Sequence, residues 1–244
     1  MFLQFRNKEP LKRKIIWHLF KIGYLDIQKP IIDIGCYLAD NTLVWAKCLD
    51  ENAVVYAIDP CKENLEFGKK LGKLNGISNV QWVHAVCSSS EGTPLEFSGP
   101  SNHRTFREAK IISDNLILST TLDNIVQSSD NKEISLINLD VEGFEERVLL
   151  GAEQIIKSSR PTIVFEQHIC SENISHIIKF LTLYDYKIFM INEVTAGACL
   201  DCRNFIAFDN KKAIPKCFDI EHHLGQRYGV YYASLNDALI PLCK

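Results

Sequence analysis

Apolar and polar positions along the 244 residues alternate between two periods. From Leu11 to Tyr24 the spacing is helical: Ile15, Leu19 and Ile22 share one face, and Lys12, Arg13 and Lys21 lie largely off it. Pro30 then opens a continuous apolar run, Ile31-Ile32-Asp33-Ile34-Gly35, which predicts a strand buried on both faces. Asp40-Asn41-Thr42 offers capping side chains for a helix carrying Leu43, Val44, Ala46 and Leu49. A second strand is expected over 53–58, a helix over 62–74 and a third strand over 80–86. Residues 87–120, rich in Ser, Gly, Pro and Asn, read as a long loop or insertion. Thr121-Leu122-Asp123 starts a short helix, and a fourth strand covers 134–139. One helix is expected over 144–156, a fifth strand over 162–165 and a helix over 174–183. Two last strands, 186–191 and 204–208, lie close in sequence, as an antiparallel edge hairpin would.

Strands alternating with helices predict an α/β fold, with a doubly wound, mostly parallel, seven-stranded sheet. No domain boundary stands out. The expectation is one domain over 1–244: an N-terminal helical extension (1–29), a Rossmann-like core (30–210) and a C-terminal extension (211–244). Ligands of such sheets bind beyond the carboxyl ends of the strands. That singles out Gly35, Asp59, Val86, Asp140 and Glu166, of which three are acids.

Composition narrows the classes. Hydrophobic content of 46% and charge of 23% suit a globular chain. The balance of 27 basic and 30 acidic residues, net −3, gives no nucleic-acid footprint, although a local basic patch is compatible with it. No apolar run is long enough for a membrane span, and the N-terminal apolar stretches are too short and too charged for a signal peptide. Nine scattered cysteines read as reduced thiols in a cytoplasmic setting. Cys199 and Cys202 form one C-x-x-C without the second pair that a zinc ribbon needs.

Candidate chemistry gathers at the strand ends. Asp33-x-Gly35 closes the first strand, where glycine permits a tight turn and close approach. Asp59 ends the second strand, where a carboxylate can accept from a ribose diol. A dinucleotide site would want G-x-G-x-x-G. Here Gly35-Cys36-Tyr37-Leu38-Ala39-Asp40 lacks the later glycines, and Asp40 would repel a pyrophosphate. A phosphate-free cofactor with a positive sulfonium suits the acids better. Asp140 and Glu142 follow the fourth strand, and Glu166 and His168 follow the fifth. Any of these four could take the proton of a hydroxyl nucleophile. Alternatively Asp140 and Glu166, with His168, could hold Mg²⁺ or Mn²⁺. Glu142 and Glu145 equally suit a helix first turn, and Asp123 suits a cap. His84, inside a strand, reads as a core histidine. His103, Arg104 and Arg107, in the insertion, could contact a polar or anionic substrate or simply be solvated.

Several segments together are specific. They are residues 31–42 (IIDIGCYLADNT), Thr120-Thr121-Leu122-Asp123, residues 137–145 (INLDVEGFE), Leu149-Leu150-Gly151-Ala152 and Pro161-Thr162-Ile163-Val164-Phe165-Glu166. In this order and spacing they resemble the FkbM family of methyltransferases. The resemblance implies a class I methyltransferase fold that uses S-adenosylmethionine, mostly for O-methylation of sugar or natural-product hydroxyls. It extends the cofactor set to Asp33, Gly35, Tyr37, Asn41, Thr42, Asp59, Val86 and Asp140. Two positions depart from it: Ala39 stands where the family usually has Gly, and Asp59 where it often has Glu. The leading expectation is an O-methyltransferase acting on a sugar or glycan. The rivals are a catalytically weak relative that binds the cofactor or a partner, and a nicotinamide-dependent oxidoreductase.

Overall fold

The computed structural model describes residues 9–99, 105–109, 116–127, 133–195, 202–214, 230–232 and 238–242. The chain forms two compact units, one of Ile27–Pro161 and one of Met1–Asp26 with Thr162–Lys244. His103 and Arg104 lie outside the described residues, as does Cys199.

The second of these units begins with helix α1 (Pro10–Lys21). Ile15 and Leu19 are buried as their spacing predicts, but Ile22 is exposed and Lys12 is buried. Lys12 tolerates burial because its ammonium pairs with Glu9 one turn back.

The 27–161 unit is a wound α/β layer. Its strands β1 (Ile31–Ile34), β2 (Val55–Asp59) and β3 (Val80–His84) alternate with helices α2 (Asp40–Ala46) and α3 (Lys62–Leu74). All residues of β1 and β2 are buried, which is why their sequences are continuously apolar rather than alternating. The expected third strand ends at His84. Val86 belongs instead to β4 (Val86–Cys87), in a separate small sheet with β5 (Pro94–Ser98), β6 (Thr105–Glu108) and β7 (Leu116–Thr120). The expected long loop is therefore largely sheet. Leu95 and Val86 bury against Phe144, and Phe106 stacks edge-on to Phe144 at 5.6 Å. Its core partners are remote in sequence.

Helix α4 (Leu122–Gln127) leads to β8 (Leu136–Leu139), which pairs parallel with β1. The expected helix 144–156 is two helices, α5 (Glu145–Leu150) and α6 (Glu153–Ser159). Gly151 sits at the break, where an added Cβ would lie 2.1 Å from the Ser88 carbonyl oxygen. Thr121 caps α4 through Asn124 N–H, whereas Asp123 reaches across and accepts from Gln154 and Ile155 N–H, both at 3.0 Å. Asp123 is thus a cap, but of α6 rather than of its own helix.

The remaining unit adds β9 (Thr162–His168), α7 (Glu172–Leu183), β10 (Tyr186–Ile191), β11 (Glu193–Thr195), β12 (Cys202–Asp209), β13 (Val230–Tyr232) and β14 (Leu239–Pro241). The expected hairpin is present, with β10 antiparallel to β12 and β12 antiparallel to β9. β14, which the sequence pattern did not reveal, pairs on the outer side of β10. β9 runs three residues further than expected, so Glu166 and His168 lie within the strand.

Glu193 fastens α1: its carboxylate accepts from Leu11 N–H (2.8 Å) and Lys12 N–H (3.2 Å). Burial raises its pKa to about 7, against the pull of those two N–H groups. Burial pushes half-buried Glu9 upward, but the Lys12 charge, hydrogen bonds from Lys12 and Asn204 and the Arg13 charge together hold it below the usual carboxylate range. A folded pKa above the unfolded value means that Glu193 favours folding when protonated. That contribution is present below about pH 4.5 and lost as pH rises to about 7, up to about 3 kcal/mol. Urea melts across this window should show Glu193→Gln with a flatter pH slope than the parent. An identical slope would remove Glu193 as the cause.

Candidate functional site

In the 27–161 unit the strand order is β8-β1-β2-β3. The chain winds outward from β1 to β3 and then returns to the other side of β1. The β1/β8 boundary is therefore the switch point, where a crevice opens beyond the strand ends. Parallel register aligns those ends: Ile34 pairs with both Ile58 and Leu139. Asp59, Gly35 and Asp140 follow in a row about 10 Å wide, two inter-strand spacings.

Gly35 has φ +77°, and an added Cβ would lie 1.7 Å from the Asp140 carbonyl oxygen. The close approach that this glycine permits is to the chain itself. Its N–H donates to Ile58 C=O, and Asp140 N–H donates to Ile34 C=O, which locks the three strand ends together.

Asp33 is 1% exposed. Thr42 Oγ1 donates to its Oδ2 and Asn138 Nδ2 to its Oδ1 (2.9 Å). Asp33 thus braces α2 and β8 against β1. This corrects the capping expectation: the N-cap of α2 is Ala39, in the left-handed region with no side-chain cap, and Thr42 is engaged by Asp33. Asn41 N–H turns to Asp40 Oδ1. The methyl of Ala39 is accommodated by Gly68 of α3, whose own Cβ would meet it at 3.0 Å.

Asp59 is 4% exposed and already engaged. Its Oδ2 accepts from Tyr37 N–H (2.9 Å), and its Oδ1 from Cys61 N–H (2.8 Å) and Asn64 Nδ2 (3.1 Å). Tyr37, at φ +44°, is thereby clipped to the end of β2. Burial, reinforced by Asp33 and Asp59, lifts the Cys36 thiol well above its usual range, which rules it out as a thiolate nucleophile at neutral pH.

Beyond β8, Glu142 is exposed at φ +52° in the turn before α5, not in the first turn of the helix. Glu145 is buried and accepts from Val141 and Gly143 N–H (3.2 and 3.3 Å), so it shapes the 140–144 turn. Phe144 carries the Arg147 guanidinium over its ring at 5.2 Å, and Arg147 pairs with Glu108 of the small sheet. Arg107 is paired with Glu96.

The other two candidates belong to the unit containing β9. Glu166 and His168 share one face of the strand, opposite Asn204 and Cys202 in register. The Cys202 thiol donates to Glu166 Oε1, and Asn204 Nδ2 donates to Glu9. Sequence reasoning missed both partners, because strand register and not spacing brings them to Glu166. His84 is exposed rather than in the core, with Nε2 against Pro60 C=O. Among the described residues, no three His, Cys, Asp or Glu side chains gather as a cation site.

The crevice residues suit one kind of cofactor. Residues 31–46, 55–61 and 136–145 contain Asp33, Asp40, Asp59, Asp140, Glu142 and Glu145 and no Lys or Arg. Asn138 Oδ1 is buried beside Asp33 and accepts no hydrogen bond among the described residues. Acidic segments that carry no Lys or Arg fit the ammonium and sulfonium of S-adenosylmethionine and oppose a pyrophosphate.

Comparison with known proteins agrees. The solved structure of methyltransferase FkbM from Methylobacillus flagellatus superposes with a TM-score of 0.56 at 15% identity, over 75% of this chain. This chain spans only 44% of that protein's length. The METTL16 methyltransferase domain gives 0.51 at 15% identity, covering 80% of this chain and 66% of its own. These likenesses establish the Rossmann-like class I methyltransferase fold. No curated protein matches by sequence. The sequence model of the methyltransferase FkbM domain matches residues 33–188, from the Asp33 brace to the middle of β10. The chain belongs to the FkbM family of S-adenosylmethionine-dependent methyltransferases.

Proposed function

We propose that the protein is an O-methyltransferase acting on a hydroxyl of a sugar or glycan. The observation that carries the reading is the row of acceptors at the ends of β2, β1 and β8, in segments that contain no Lys or Arg. When bound, S-adenosylmethionine supplies an electrophilic methyl group. Asp59 would take the ribose hydroxyls, sharing with or displacing Tyr37 N–H. Gly35 would border the methionine end, and Asp33 with Asn138 Oδ1 would face its ammonium. Thr42 and Asn41 hold the turn that carries these groups. A sugar hydroxyl is a weak acid, so a carboxylate or imidazole must take its proton as the bond to methyl forms. Asp140, Glu142, Glu166 and His168 are the candidates.

The test has two stages. S-adenosylhomocysteine at millimolar concentration should raise the melting temperature, and NAD and NADP should not. Methyl transfer to a panel of hydroxyl, amine and thiol acceptors then reads the reaction. Transfer only to amines or thiols would reject the hydroxyl assignment. Binding without transfer to any acceptor would favour a cofactor-binding relative.

Asp59→Ala should weaken S-adenosylhomocysteine binding by about 1–3 kcal/mol, because two ribose hydroxyls lose their acceptor. Calorimetry measures this, with a melt recording the separate cost of freeing Tyr37, Cys61 and Asn64. Parent-like affinity would move the ribose elsewhere.

A further inference from the structure

The row of strand ends does not stop at Asp59. Parallel register places His84, the last residue of β3, beside Asp59 and one inter-strand spacing further from Gly35. Residues paired in register share a sheet face, and this face is the one that α3 covers. Asp59 accepts from Asn64 of α3, and Trp82, two residues before His84, packs on Gly68 of the same helix. His84 lies beyond that cover and is exposed, so its ring is open to a ligand lying across the strand ends.

One nitrogen of the ring is committed. Nε2 lies 3.0 Å from the Pro60 carbonyl oxygen. A carbonyl can only accept, so in the neutral ring the proton sits on Nε2. Nδ1 is then a bare acceptor, and it meets no donor among the described residues. Because Pro60 follows directly on Asp59, the same bond ties the imidazole to the segment that carries the carboxylate.

The chemistry of the cofactor says what comes to that position. In S-adenosylmethionine the base and the methionine sulfur are attached at opposite ends of the ribose. With the ribose on Asp59 and the methionine end at Gly35, the base falls at the end of β3. Adenine offers a donor there, its exocyclic 6-amino group. We propose that His84 is a specificity-determining residue that reads this base: Nδ1 accepts from the 6-amino group, so the site selects a 6-amino over a 6-oxo purine. A 6-oxo group would set two acceptors against each other. The inference rests on the placement of the ribose on Asp59 and is independent of which acceptor is methylated.

Calorimetry on the full chain tests it with two ligands, S-adenosylhomocysteine and S-inosylhomocysteine. The second carries a 6-oxo group in place of the 6-amino group. The parent should prefer the first by about ten-fold or more. His84→Phe keeps a planar ring and removes both nitrogens. In that variant the preference should shrink by about three- to ten-fold. Both ligands are measured on the same variant, so a loss of stability, or of the Pro60 contact, cancels in the ratio. A preference that other groups at the site supply is common to parent and variant and cancels likewise. An unchanged preference in His84→Phe, or a parent with none, would overturn the role of His84 and leave the cofactor reading standing. A parent that binds neither ligand would overturn the placement of the ribose, and this inference with it.

Discussion

Gly35→Ala should cost at least about 3 kcal/mol of folding stability and abolish S-adenosylhomocysteine binding. Backbone strain and a steric clash add. The residue sits at φ +77°, and an L side chain in the left-handed region costs about 1–2 kcal/mol. The clash costs more than the strain. The new methyl would lie 1.7 Å from Asp140 O and 2.7 Å from its carbonyl carbon. These are backbone atoms at the end of β8, held by the Asp140 N–H to Ile34 bond, so no side chain can swing aside. Gly92→Ala is the control, because Gly92 has φ +74° but nothing within 4 Å of the added Cβ. It bears the backbone strain alone. Urea melts of the two variants separate strain from clash, and an equal loss in both would show that the β1–β8 junction yields freely.

The second large effect is on turnover. One of Asp140→Asn, Glu142→Gln, Glu166→Gln and His168→Gln should lower methyl transfer by about 10²- to 10⁴-fold while leaving S-adenosylhomocysteine affinity intact. Glu145→Gln should spare turnover, because that carboxylate serves the Val141 and Gly143 N–H groups. Glu166 carries an added check. Cys202 donates to its Oε1, so Cys202→Ala should alter the pH profile of turnover if Glu166 is the base, and leave it unchanged if Glu166 is a bystander. Near-normal turnover in all four variants would make the acidic rim structural. Activity that disappears on chelation and returns with Mg²⁺ or Mn²⁺ would transfer the role to a bound cation.

The wound strands and the helix over 62–74 were legible because burial alone dictates them. α3 begins and ends at the residues its periodicity predicts, and β1 and β2 are buried throughout. What escaped depends on contacts remote in sequence. β5 reads Pro-Leu-Glu-Phe-Ser, with one fully buried side chain, Leu95, whose partners Val86 and Phe144 lie well outside the strand. The α5/α6 break is imposed by the Ser88 carbonyl at Gly151. For the site, residue types at strand ends located the acids. Their engagements could not be read: Asp33 divided between Thr42 and Asn138, Asp59 closed on Tyr37, and Glu166 joined by Cys202.

The Asp123 cap on α6 bears on how such chains diverge. Thr-Leu-Asp and Leu-Leu-Gly-Ala are part of what makes the sequence recognisable, yet here one fastens a helix and the other clears space for a carbonyl. Gly35 and Glu145 are likewise answerable to their own backbone. Purifying selection on foldability alone would preserve such a signature. A lineage that lost its acceptor, or its proton-accepting group, would keep these marks for as long as it kept a stable fold. In this chain, several of the residues that carry the family resemblance serve the fold and need not change if the reaction is lost.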